Sequence, residues 1–146
     1  MKGNWKQVRR GDEHPGYAGL YVTLNQKGHF SINRVTWLRM DSPEAFQLFY
    51  DSANSRIALK PSAKAGRDAY PACSGGRNGS RRVHAARLLN ECEIDLPATV
   101  RFYDAEIDND GVLILDLRTA RVPPSVIAQQ RRLDRIAKRN GSPPAP

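Results

Sequence analysis

One stretch of this chain is written twice. Gly28, Ile32, Trp37 and Leu38 recur as Gly79, Val83, Leu88 and Leu89, each pair 51 residues apart. Phe49-Tyr50-Asp51 returns as Phe102-Tyr103-Asp104 at a spacing of 53, and Ile57 and Leu59 as Val112 and Ile114 at 55. The slips fall between helix and strand and in a hairpin turn, where insertions are tolerated. A repeat of this period constrains the fold more than any composition does. A strand, a two-turn helix and a hairpin fill only about 40 residues, too few to bury an adequate core alone. Two such units can complete each other's sheets and cover each other's edges. The expected fold is therefore mainly β with short helices (α+β). Two interlocked strand–helix–hairpin units form a pseudo-dimer in one chain, followed by a C-terminal helix.

The local signals place the elements. Leu20 to Leu24 is rich in strand formers, Asn25-Gln26-Lys27-Gly28 reads as a turn, and Phe30-Ser31-Ile32 alternates as the returning strand, so a hairpin is expected over residues 20–33. Asn33 is placed to cap a short helix carrying Val35, Trp37, Leu38 and Met40, which Asp41-Ser42-Pro43 ends. Ala45 to Asp51 reads as a strand, Ser52 to Ser55 as a turn and Arg56 to Lys60 as the closing strand, with Pro61 stopping it. Glycines and arginines mark a linker. The second copy then runs through a short strand at Arg82 to His84, a helix at Ala85 to Glu91, an FYD strand, a turn at Asp108 to Gly111 and a strand over Val112 to Leu117. That last strand is apolar enough to be buried on both faces. The organisation expected is a flexible lead-in at 1–18 with Trp5 docking on the body, a first unit at 19–61, a linker at 62–78, a second unit at 79–120 and a basic helix and tail at 121–146.

Residues 19–61 resemble the SpoVT/AbrB-like swapped-hairpin family. The resemblance rests on Val22-Thr23, the Lys27-Gly28 turn, Ile32, the apolar helix, the strand at Leu48 to Asp51 and Ile57-Ala58-Leu59. Residues 79–117 match more weakly, and the tandem arrangement is similar to that of the MraZ branch. The chain departs from the family pattern at Asn33, where Pro is usual, and at His29, where a basic residue follows the turn glycine. The resemblance implies duplex-DNA binding, as a transcription regulator or antitoxin-like repressor in the cytoplasm. The family's contact positions fall here on Lys27, His29, Arg34 and Arg39, and in the second copy on Arg77, Arg81, Arg82 and Arg87.

The charge distribution points the same way. Lys and Arg number 23 against 15 Asp and Glu, a net +8. Residues 83–120 carry −5, whereas 66–82 carry +3 and 121–146 carry +5. Segregation of this kind suits a polyanionic partner. In the tail, Pro123-Pro124-Ser125 starts a helix. Its Arg131, Arg132 and Arg135 can add phosphate contacts, and its Val126, Ile127, Leu133 and Ile136 can dock on the body or on a partner. A second reading is a protein-interaction or self-assembly module, a homo-oligomer in which the acidic second copy meets a neighbour's basic surface. One continuous positive face around Arg34, Arg81 and Arg82 favours DNA; burial of those charges against another copy favours assembly.

No motif points to an enzyme, a cofactor or a small-molecule substrate. His14, His29 and His84 are scattered, and Cys73 and Cys92 lack the paired spacing of a zinc site. Glu106 to Gly111 has some look of a calcium loop but lacks the remaining ligands. There is no GxSxG elbow or phosphate loop. Arg101 beside Phe102-Tyr103 leaves single-strand stacking open. No apolar run approaches the roughly 18 residues that span a bilayer, so no membrane partner is expected.

Overall fold

The computed structural model of the chain describes residues 2–5 and 19–139. The remainder of the lead-in at 1–18 lies outside them. Trp5 is 71% exposed and its indole N–H donates to the Lys2 carbonyl, so it does not dock on the described body.

The first hairpin forms as its turn chemistry dictates. β1 (Val22–Leu24) pairs antiparallel with β2 (His29–Ile32). Between them Asn25 Oδ1 accepts from the N–H groups of Lys27 and His29 at 3.0 and 2.9 Å, an Asx turn. Helix α1 (Arg34–Arg39) follows at once, capped by Asn33, whose Oδ1 accepts from the Thr36 N–H at 3.0 Å. Asn33 Nδ2 donates to the Gly19 carbonyl, and the Tyr21 N–H donates to Asn33 Oδ1 and Thr36 Oγ1. The cap thus also ties the helix start to the chain entering β1.

β3 (Ala45–Asp51) and β4 (Arg56–Ser62) pair over seven residues, from Ala45 with Ser62 to Asp51 with Arg56. Pro61 therefore sits inside β4 and does not stop it. Pro61 opposes Phe46, and a proline without an N–H fits only a pair that exchanges no bonds with β3. Its other side lies beyond the last neighbour of β4, so no ladder bond is lost there either.

The segment at 62–78, expected to be a linker, contains two short strands. β5 (Tyr70–Pro71) pairs with the start of β3, and β6 (Cys73–Ser74) pairs with β7 (Arg81–His84). The hairpin of the second half therefore begins before Gly79. Helix α2 (Ala86–Glu91) follows, then β8 (Val100–Arg101), β9 (Glu106–Ile107), β10 (Leu113–Asp116) and α3 (Pro124–Arg139).

The strands make two antiparallel five-stranded sheets, ordered β6-β7-β2-β1-β8 and β5-β3-β4-β10-β9. In each, a hairpin from one half lies against a hairpin from the other at the β2·β7 and β4·β10 seams, and one further strand, β8 or β5, extends the sheet on one side only. At the first seam Ser31 opposes Arg82, its counterpart at the 51-residue spacing. The turns reciprocate. Gly28, at φ +85°, lies against the backbone of Ala85 and Ala86, and its carbonyl accepts from the Ala85 N–H at 2.8 Å. Ala85 gives α2 no side-chain cap, and this contact stands in its place. Gly79, at φ +77°, lies against the Arg34 side chain at the start of α1.

The core between the sheets holds Phe30, Phe46, Phe102, Ile32, Ile57, Leu59, Leu113 and Leu115, all below 2% exposed. Two expected correspondences change. Ile57 and Leu59 face the core together with Leu113 and Leu115, so the spacing there is 56. A spacing of 55 selects Val112 and Ile114, on the uncovered face, because a one-residue slip inverts a strand. β10 is thus covered on one face only. The FYD match also fails: Phe49 points outward from β3 at 53% exposure, whereas Phe102 is buried at 1% just after β8. β8 leaves the hairpin and pairs with β1 instead, and β9 fills the place beside β10.

Candidate nucleic-acid interface

Directly opposed residues of an antiparallel pair share a face. Register therefore carries one row across the uncovered face of the first sheet: Cys73, Arg82, Ser31, Thr23 and Arg101. The neighbouring pair, His29 with His84, points the same way, and the two imidazoles meet edge to face with centroids 4.3 Å apart. Burial between them, together with His84, Arg82 and Lys27, holds the His29 pKa below the ordinary imidazole value. His29 is therefore mostly neutral near pH 7 and sits in a positive field.

The eleven sequence-selected residues divide by position. Lys27 stands on the turn beside His29, and Arg82 stands at the centre of the face. Arg77 is on the opposite turn, exposed, next to Gly79 and the α1 start where Arg34 lies. The span from one turn to the other is roughly 25–30 Å at about 3.3 Å per residue. The remaining body residues lie elsewhere. Arg81 opposes Ile32, so it points to the covered side, where its guanidinium stacks 3.9 Å from the Trp37 ring centroid. Adjacent residues of a strand face opposite ways, so Arg81 and Arg82 do not act as a pair. Arg87 is ion-paired with Glu91 on α2. Arg39 lines a cleft of about 340 Å³ with Asp41 and Asp110, away from the face.

α3 carries the last three candidates. Arg131, Arg132 and Arg135, with Lys138 and Arg139, occupy one side of the helix, while Val126, Leu133 and Ile136 occupy the other. None of its residues is buried, and Ile127, Leu133 and Ile136 are exposed. The apolar stripe does not dock on the described body.

Arg101, considered from sequence only for single-strand stacking, and His84, given no role there, also stand on this face. The Arg101 guanidinium lies 4.2 Å from the Tyr21 ring centroid and 4.5 Å from that of Tyr103, and its Nε is buried without a hydrogen-bond partner. The signal was the alternation around it: Val100 and Phe102 are buried, which turns Arg101 to the other side. Among the described residues no group of three or more His, Cys, Asp or Glu stands close enough to hold a metal, and no helix is long and apolar enough to cross a membrane.

No known protein family, curated protein or solved structure matches this chain.

Proposed function

We propose that the chain is an AbrB-like DNA-binding regulator, its two halves interlocked as a pseudo-dimer. Duplex DNA lies along the uncovered face of the first sheet, and the basic side of α3 adds phosphate contacts. The observation that carries this reading is the grouping of Arg82, His29 and His84 on one open sheet face, with Lys27 on the adjoining turn and no acidic residue in the row that register defines. Phosphate neutralisation by such groups releases counterions and drives association. Arg82 is the side chain suited to a bidentate contact with guanine.

The test is fluorescence anisotropy with a random duplex across a salt series, using the full chain and a chain truncated after Arg121. Each phosphate contact adds about 0.9 to the slope of log affinity against log salt. A slope of about −2 or steeper in the truncated chain places contacts on the sheet face. Binding only with α3 present removes the sheet from the reading.

The assembly reading draws on a separate observation, the exposed apolar side of α3. Absence of DNA binding at low salt, with a concentration-dependent size that drops on truncation after Arg121, establishes assembly in its place.

A further inference from the structure

Register carries the row on the uncovered face of the first sheet one step beyond β8. Arg101 and Arg121 form a β-bridge and exchange both backbone hydrogen bonds, at 2.8 and 3.0 Å. Directly opposed residues share a face, and Ala120 and Val122 pack toward the core on either side of Arg121. The two guanidinium groups therefore project on the same side, from Cα atoms about 5.5 Å apart. Like charges directly opposite one another are destabilising, and the row of Cys73, Arg82, Ser31, Thr23, Arg101 and Arg121 holds no carboxylate to offset them. The Arg101 guanidinium lies against the Tyr21 and Tyr103 rings, 4.2 and 4.5 Å from their centroids, with its Nε buried. Among the described residues it makes no hydrogen bond or ion pair. Arg121 gives Nη1 to the carbonyls of Arg118 and Ala120 at 3.1 and 2.8 Å, which are neutral acceptors. On the second sheet, by contrast, Arg56 is paired with Asp51. A partly desolvated charge without a counter-charge carries a free-energy cost that a bound anion offsets.

We propose that Arg101 and Arg121 form an oxyanion site that grips one backbone phosphate of duplex DNA. The proposal rests on the DNA-binding reading and gives that face a second anchor. A guanidinium donates two parallel N–H bonds to phosphate oxygens, and these charge-assisted bonds are the strong ones. The ring contacts already restrict Arg101, so less side-chain freedom is lost when the anion arrives. Arg82 stands three strand steps away along the same row, about 14 Å. That separation is close to the major-groove width of about 12 Å. The pair at the sheet edge holds the backbone while Arg82 reaches the bases, since phosphate contacts position and base contacts specify.

The buried Nε–H of Arg101 is the reporter. Its signal is followed by heteronuclear NMR in the full chain while random duplex or inorganic phosphate is added at matched ionic strength, and anisotropy salt series are run on the variants. The signal is expected to shift and saturate with duplex where the anisotropy saturates, and to stay in place with inorganic phosphate at the same phosphate concentration. Arg101→Gln lowers the salt slope by about 0.9 and the affinity about tenfold, while Arg56→Gln leaves both unchanged. Arg121→Gln repeats the test on an exposed side chain and spares the tyrosine contacts, so a poorly folded Arg101 variant does not end it. An unchanged slope in the folded variants, with Arg82→Ala still lowering it, overturns the proposal and leaves the sheet face as the DNA surface. Equal shifts from inorganic phosphate make this a site for a free anion and overturn its assignment to DNA. Absence of duplex binding by the unmodified chain overturns the proposal together with the DNA-binding reading.

Discussion

Gly28→Ala tests how the two halves are joined. A Cβ at Gly28 falls 2.5 Å from the Cα of Ala86 and 2.7 Å from its nitrogen, closer than real contacts allow. These are backbone atoms, so no side-chain rotation relieves them. Overpacking of this kind costs about 1–3 kcal/mol. The positive φ of +85° adds about 1 kcal/mol for a residue with a Cβ. Displacing α2 also strains the Ala85 N–H bond to Gly28, worth about 1 kcal/mol. Reduced chain entropy in the unfolded state returns about 0.4–1 kcal/mol. The expected loss is about 3–4 kcal/mol, a large part of a typical stability of about 5–15 kcal/mol. Gly111→Ala is the comparison: φ is +79° and nothing lies within 4 Å of the added carbon, so only backbone strain of about 1 kcal/mol stands against the same entropy return, leaving a loss under about 1 kcal/mol. Urea unfolding followed by circular dichroism measures both, and with m near 2 kcal/mol/M the midpoint of Gly28→Ala falls by about 2 M. Equal losses for the two variants refute the contact between the first hairpin and the second helix.

Arg82→Ala is expected to reduce the salt slope of DNA binding by about 0.9, whereas Arg81→Ala, engaged with Trp37, leaves the slope unchanged; anisotropy titrations compare them. The His29 pKa is lowered, so the unfolded chain takes up this proton first and stability falls as pH drops below about 6.5. Phosphate contact favours protonated His29, so DNA affinity rises over the same interval by at most about tenfold per pH unit, and His29→Gln abolishes that rise. Phe102→Ala is expected to cost about 3–5 kcal/mol by cavity formation and Phe49→Ala less than about 1 kcal/mol, in chemical denaturation.

What the sequence made legible was local. The turn at Asn25 to Gly28, the Asn33 cap, α1 and the β3–β4 hairpin each follow from chemistry within a few residues. β5, β6 and β9 were missed because two residues carry no periodicity, and β8, expected within the FYD strand, takes a distant partner in β1. The FYD letters misled because identical residues do not say which face they occupy; pairing with β4 turns Phe49 outward, and the exit from β8 turns Phe102 inward. At the candidate site, the separation of Arg81 from Arg82 was readable from strand alternation. The stacking of Arg81 on Trp37 was not, since it depends on where α1 sits above the sheet.

The mixed strand order also sets a clock on synthesis. β4 ends at Ser62, but its neighbour β10 is complete only at Asp116, and β1 waits for β8 at Val100–Arg101. At about 5–20 residues per second the edge of β4 that β10 will pair with stands open for roughly 3–10 s on the ribosome. A strand edge left unpaired for seconds is a template for wrong pairing, so this interval is when the growing chain is most exposed to aggregation.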